Sequence, residues 1–370
     1  MTKLEEARSI INRVDREMAQ LFCERMDAAR MVAEYKRETG MPIFDPDREA
    51  EVLRKNTEML GRDEFRSYYG DYLQYMMDLS KLYQQRLLDG RRIAYSGVKG
   101  AFAWIAAERI FPVGTTVAYP DFKAAYDAVE RGECDCVVLP IENSYQGDVT
   151  QVMDMAFAGS LYINGVYDLE VTQHLMALPG THVSEITEAI SHPQALGQCA
   201  GYLRAHGIKA TEATNTAIAA QMVSEMGRRD LAAIASRETA ALYGLEVIEK
   251  EINESRNNTT RFAGFSRTPS APTPADNHFI MFFTVRNEAG ALGRAISVIG
   301  QNGFNLRALK SRPTKDNNWE YYFYVEGEGN IHAPSGQQML EWLRMACNSV
   351  KVVGSFVDEK KLAEKKDYEE

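Results

Sequence analysis

From Leu4 to about Lys36 the apolar residues recur at helical spacing, at Leu4, Ala7, Ile11, Val14, Met18, Leu21, Ala28 and Val32, with no Gly or Pro between them. The spacing predicts one helix of about 30 residues, close to 45 Å at 1.5 Å per residue. Such a helix does not stand alone in water, so its apolar stripe must pack on others. Gly40 and Pro42 end it. "DPDREAEVL" restarts a helix with Asp45 as N-cap, Pro46 at the first helical position and acids in the first turn. After Gly61 a third helix is expected from about Glu64 to Leu88. Helices of such unequal length over residues 1–90 enclose little core, and dimerisation is the expected remedy.

At "RRIAYSG" the period shortens. A β-like run, a Gly-rich turn and a helix follow, and alternation continues through "CDCVVLPI", "VTQHLMAL" and "AAIAS" as strands. Residues 91–268 therefore read as α/β. "SRTPSAPTPADN" is rich in Pro, Ser and Thr and marks a flexible linker over residues 269–277. Beyond it "HFIMFFTVRN", "GALGRAISVIGQNG", "NLRALKSRP", "WEYYFYVEGEG", "GQQMLEWLRMACNSV" and "KVVGSFV" give βαββαβ, the order of a small α+β ferredoxin-like module over residues 278–358. The last stretch, residues 359–370, is a charged and frayed tail.

A chain of 370 residues with this segmentation is multidomain, and 45% hydrophobic with 25% charged residues is globular composition. A formal net charge of -10 argues against a nucleic-acid partner, which would require a cationic face. The five cysteines are scattered, without zinc or disulfide spacing, which points to a reduced, cytoplasmic protein. The charged start has no apolar signal core, and no run approaches the ~20 apolar residues of a membrane span. There is no P-loop, no H-E-x-x-H, and "GVKGAF" lacks dinucleotide spacing, so neither metal nor cofactor is expected.

Four cations on the helical segment invite geometry: Arg8, Arg25, Lys36 and Arg48. Arg25 and Lys36, at about 100° per residue, return to nearly the same helix face. Arg8 lies roughly 25 Å from Arg25 along the axis and about 100° away from its face, so only a second subunit brings it to the same small ligand. Singly, each is an ordinary solvated charge. Arg25, however, sits among Leu21, Phe22, Ala28 and Ala29, and a cation near the buried side requires an anion.

The joint pattern of Arg8, Asp15, Arg25, Lys36, "DPDRE" with Asp45, Arg48 and Glu49, then Ser80 and Gln84 one turn apart, resembles the all-helical chorismate mutase domain over most of residues 4–88. The resemblance implies an intertwined dimer, with Arg8 reaching the partner's site. It also implies that Arg25 and that Arg8 hold the two carboxylates of a chair-like dianion. Lys36 and Gln84 would donate to the ether oxygen as its bond breaks, Glu49 and Asp45 would fix the ring hydroxyl, and Ser80 would act at the other end. Positioning and charge suffice for that rearrangement.

In the α/β segment "PIENSYQG", "SHPQALGQC" and "ATNTAIAAQ" place hydroxyls and amides at strand ends and helix N-termini, where anions bind in α/β folds. "NNTTRF" sets a hydroxyl, a cation and an apolar ring side by side, which suits an anionic substrate and a leaving group, or an ordinary edge strand. As a set, from about Arg92 to Arg267, these stretches resemble prephenate dehydratase. The implied fold is two α/β subdomains, periplasmic-binding-protein-like, with the site in the cleft between them.

That reaction expels carbon dioxide and water. Pairing the departing carboxylate with a cation stabilises the ground state, so the gain lies in desolvating it and donating to the leaving hydroxyl. Thr260 is the expected donor, Phe262 an apolar wall, and Arg261 positions the loop or the pyruvyl carboxylate, with Thr259 structural. Glu142, Asn143, Ser144, Gln194, Asn215 and Thr216 complete the expected substrate contacts. Ala103 stands where the family has Ser, and His174, His192 and Cys199 read as packing residues.

In the last module Gly290, Ala291 and Leu292 precede a helix, and Ser311, Arg312 and Pro313 end a strand. They resemble the ligand motifs of ACT domains attached to prephenate dehydratases, where phenylalanine binds at a subunit interface and inhibits. Lys310 stands in place of the motif's Glu, a sign change beside a ligand's ammonium. The whole chain thus resembles bifunctional chorismate mutase/prephenate dehydratase, a homodimer or higher even oligomer acting on chorismate and prephenate. Arogenate as substrate and a non-catalytic aromatic-metabolite sensor are the alternatives.

Overall fold

The computed structural model describes residues 2–255, 257–314 and 320–358, so the tail over residues 359–370 and Trp319 lie outside the described residues. The chain divides into two units, Met1–Arg92 and Ile93–Glu370. No helix among the described residues is long and apolar enough to cross a membrane.

The first unit has three α-helices: α1 (Lys3–Thr39), α2 (Pro46–Met59) and α3 (Arg66–Asp89). A capping box of Thr2 and Glu5 starts α1, and Gly40 ends it in the left-handed region at φ 70°. Asp45 caps α2 by accepting from Arg48 N at 3.0 Å, with Pro46 behind it. A 3-10 turn at Asp63–Phe65 leads into α3. The C-terminal half of α1 packs on α3, burying Ala29 and Ala33 with Met76, Met77, Ser80 and Gln84. Alanine at these positions lets the two backbones approach closely. The other half of α1 is bare in the single chain: Leu4, Ile11, Val14, Met18 and Leu21 are 37% to 62% exposed.

The second unit opens with β1 (Arg92–Ser96), α4 (Phe102–Ile110), β2 (Thr115–Tyr119), α5 (Phe122–Glu130), β3 (Cys136–Asn143), β4 (Gly147–Asp148), α6 (Thr150–Ala158) and β5 (Tyr162–Glu170). The chain then leaves this sheet for a second one. That part contains β6 (His174–Ala177), β7 (Glu188–Ser191), α7 (Pro193–Gln198), α8 (Ala200–Ala205), β8 (Lys209–Glu212), α9 (Thr216–Met226), β9 (Leu231–Ala235), α10 (Arg237–Tyr243) and β10 (Glu246–Glu249). It returns through β11 (Thr259–Ser266). The first sheet runs β2-β1-β3-β11-β5 with β4 on β3, and the second β10-β6-β9-β7-β8. Two short crossovers join them, where Val171 N donates to Asn258 O at 2.7 Å.

Two expectations change here. "NNTTRF" leads into a central strand rather than an edge, because β11 pairs with both β3 and β5. Within "VTQHLMAL" only His174–Ala177 is strand, since Val171–Gln173 form the crossover.

The βαββαβ module follows as β12 (His278–Thr284), α11 (Ala291–Gln301), β13 (Asn305–Pro313), β14 (Tyr321–Glu328), α12 (Pro334–Ala346) and β15 (Ser349–Phe356). Its sheet order is β13-β14-β12-β15, with β13 at an edge. Strand alternation gives the sheet two apolar faces. Phe279, Met281 and Phe283 pack under the module's own helices, whereas Ile280, Phe282, Tyr322 and Tyr324 join the core of the first α/β sheet. The linker is no loose tether: Ser270 N donates to Asn164 Oδ1 at 2.7 Å, and buried Asp276 accepts from Thr273 and Ser355.

Candidate functional site

A cavity of 490 Å³ opens between the two α/β sheets. Thr260 and Phe262 reach it from β11 and Asn143 from the end of β3. Gln194 comes from the start of α7, and Asn215 and Thr216 from the start of α9. Among the described residues lining it there is no Asp, Glu, Lys or Arg. Polarity comes instead from amides, hydroxyls and the N-termini of α4 and α9, which favour anions without supplying a mobile cation.

Asn143 organises the wall. Its Oδ1 accepts from Tyr145 N and Gln146 N, each at 3.0 Å, so the turn's N–H groups settle which way the amide points. Its Nδ2 donates to Thr260 Oγ1 at 2.9 Å and to Asn258 Oδ1 at 3.0 Å. Thr260 thereby accepts a hydrogen bond, and its own O–H remains available to donate.

Three predicted contacts lie elsewhere. Side chains alternate along β11, so Arg261 points to the face opposite Thr260 and Phe262. Its guanidinium is bonded to Glu142 at 3.1 Å and to buried Glu326 on β14, with Asp168 at 3.6 Å. Arg261 and Glu142 are therefore held at the module interface, and neither lines the cavity. Burial depresses the Arg261 pKa, but Glu326, Tyr324 and Glu142 outweigh it and raise it. Ser144 ties the turn to the crossover, donating to Asn257 O at 2.7 Å and accepting from Thr259 N at 2.9 Å.

Gln146, Gln173 and Gln198, which the sequence did not single out, line the cavity, as does His192, expected only to pack. Gln173 is buried in the crossover with Oε1 unpartnered, which only the chain's excursion between sheets explains. His192 accepts from Gln194 N at 3.2 Å as the cap of α7. His174 accepts from Glu251 N at 3.2 Å, and burial pushes the Cys199 thiol up to about 12, both in keeping with packing roles. Ala103 faces the cavity.

On the helical unit, Arg25 Nη1 donates to Ser80 Oγ and, at 3.1 Å, to Met76 O. Lys36 Nζ donates to Ile43 O at 2.5 Å. Gln84 is buried one turn beyond Ser80, with Oε1 unpartnered. Glu49 pairs at 2.7 Å with Lys81, a residue the sequence did not single out. Arg48 is exposed and pairs with Glu51 at 2.7 Å, and Arg8 is exposed.

In the module, Gly290 caps α11 at φ 79°, with Ala291 buried behind it and Leu292 packed on the helix-side core. Ser311, Arg312 and Pro313 end β13. Arg312 is bound to Asp154 of α6 at 2.8 and 3.1 Å. Lys310, on the same face of β13, reaches Glu142 and Asp148. It thus belongs to this internal interface and not beside a ligand's ammonium. No group of three or more His, Cys, Asp and Glu among the described residues is placed to hold a metal ion.

Residues 93–270 match the family model of prephenate dehydratase, and residues 7–85 that of chorismate mutase type II. The bifunctional chorismate mutase/prephenate dehydratase of Aquifex aeolicus is 30% identical over 369 residues, covering 96% of this chain and 98% of its own length. The chloroplastic arogenate dehydratase/prephenate dehydratase 1 of Arabidopsis thaliana is 34% identical over 280 residues, covering 72% and 71%. Among solved structures, GqqA, described as a novel type of quorum quenching acylase, gives a TM-score of 0.68 at 29% identity over 73% of this chain and 98% of its own. The prephenate dehydratase of Arthrobacter aurescens in complex with L-Phe gives 0.66 at 26% identity over 72% and 89%. With both family models matched in one chain and a relative aligned from end to end, this protein belongs to the bifunctional chorismate mutase/prephenate dehydratase family of phenylalanine biosynthesis.

Proposed function

We propose that the helical unit rearranges chorismate to prephenate and that the cavity between the α/β sheets converts prephenate to phenylpyruvate. The observation that carries the second step is a cavity lined without Asp, Glu, Lys or Arg among the described residues, into which Thr260 presents a hydroxyl whose acceptor side is already occupied by Asn143. As the ring carboxylate leaves as carbon dioxide, its C–C bonding pair enters the ring and expels the hydroxyl as the ring aromatises. The low-polarity wall of Phe262 and Phe122 desolvates the departing carboxylate, and Thr260 donates to the leaving oxygen. The N-terminus of α9, with Asn215 and Thr216, holds the pyruvyl carboxylate that Arg261 does not reach.

In the first step no proton moves: the ether C–O bond breaks as a C–C bond forms. Arg25 holds one carboxylate in place, and Lys36 with Gln84 donates to the ether oxygen as charge gathers there. Glu49 and Asp45 hold the ring hydroxyl. The bare apolar stripe of α1 supports a second copy of the chain whose Arg8 completes the site. The C-terminal module is an ACT domain responding to phenylalanine, a reading supported by the L-Phe complex of the Arthrobacter aurescens relative. Five free cysteines support a reduced, cytoplasmic setting.

The Arabidopsis thaliana relative named for arogenate favours that compound as a second substrate for the cavity. Purified protein given prephenate or arogenate separates the two. Phenylpyruvate formed from prephenate, slowed by added phenylalanine, is the expected result, and turnover of arogenate alone would reassign the cavity.

A further inference from the structure

The β3–β4 hairpin sets two carboxylates directly opposite one another, because Glu142 pairs with Asp148 and Asn143 with Gly147. Like charges facing across an antiparallel pair destabilise it. Arg261 pairs with Glu142 at 3.1 Å, but the cation that touches both carboxylates comes from another module: Lys310 Nζ, on β13, lies 2.9 Å from Glu142 Oε1 and 2.5 Å from Asp148 Oδ1. Its side chain is 19% exposed and sits 5.6 Å from the ring centre of Tyr324. The next residue after Glu142 is Asn143, whose amide is oriented by the N–H groups of this hairpin's own turn and aimed at Thr260. Gln146 of the same turn lines the cavity.

We propose that Lys310 is a positioning residue for dehydration: by neutralising Glu142 and Asp148 together it holds the hairpin closed and keeps Asn143 aimed at Thr260. The inference rests on reading the cavity as the dehydratase site. It also gives β13 a direct hold on the reaction, since Arg312 on the same face grips Asp154 of α6, the helix that follows β4.

The test uses the full chain, with chorismate mutase activity as an internal measure of integrity, because that activity resides in the separate helical unit. Lys310→Met is expected to lower kcat for phenylpyruvate formation about tenfold or more, with KM changed less than about twofold. Lys310→Arg restores most of the rate. Adding Asp148→Asn to Lys310→Met also restores it, because the like-charge pair is gone. A kcat within about twofold of wild type in Lys310→Met would overturn the proposal, as would a Lys310→Met/Asp148→Asn double variant as slow as the single one. Wild type that consumes chorismate yet forms no phenylpyruvate would instead sink the dehydratase reading beneath it.

Discussion

Asn143 and Thr260 stand opposite one another in the β3–β11 ladder, and the amide of the first donates to the hydroxyl of the second over 2.9 Å. That bond occupies Thr260 as an acceptor and leaves its proton for the cavity. Thr260→Ser, which keeps the hydroxyl, is expected to retain most of the dehydration rate. Asn143→Ala, which lets the hydroxyl rotate, should lower kcat on the order of 10- to 100-fold. Steady-state rates on prephenate decide it, and equal losses in both variants would contradict the role of the hydroxyl.

Arg261, expected to position either the loop or the pyruvyl carboxylate, is bonded to Glu142 and Glu326 and does not line the cavity. Having no path to the cavity, it should affect stability more than substrate affinity. Arg261→Gln leaves Glu326 buried against fewer partners, a loss on the order of 3–5 kcal/mol for a broken buried pair. Thermal unfolding is expected to fall by several degrees, while KM for prephenate stays within about threefold. A large rise in KM with unchanged unfolding would return Arg261 to the substrate.

Glu326 also predicts an acid response. Burial pushes its pKa up, but His278 and Arg261 outweigh that and hold it well below the ordinary 4.5. A depressed carboxylate contributes stability that is fully present above 4.5 and is lost as pH falls below it. Denaturant unfolding between about pH 5 and pH 3 should therefore weaken wild type more steeply than Glu326→Gln. Parallel slopes would show that the pairing is not retained in solution.

The bare half of α1 predicts a shared mutase site. Arg8→Ala and Lys36→Ala should each abolish chorismate turnover alone. Unfolded and refolded together, they should recover about a quarter of wild-type activity, since half of the random dimers contain one intact site. No recovery on mixing would place Arg8 outside the partner's site.

Much of this was legible in sequence for local reasons. Apolar spacing, Asp45–Pro46 and Gly40 define the helices without reference to anything distant. The order of strands and helices in the last module was equally plain. What local pattern could not carry was which face each strand residue takes once the strand is central. Arg261 and Glu142 flank Thr260 and Asn143 in sequence, yet alternation turns them to the opposite side, against Glu326 and Lys310. Gln173 escaped notice because its position in the cavity wall depends on a crossover between sheets, and Lys81 because its partner Glu49 lies on another helix.

The division of labour is tested most directly by following chorismate loss and phenylpyruvate formation in wild type, Lys36→Ala and Thr260→Ala. Lys36→Ala should lose the first step by at least about 100-fold while still dehydrating added prephenate at the wild-type rate. Thr260→Ala should do the reverse, accumulating prephenate from chorismate. Loss of both activities in either variant, or loss of neither, would contradict two separate sites on one chain.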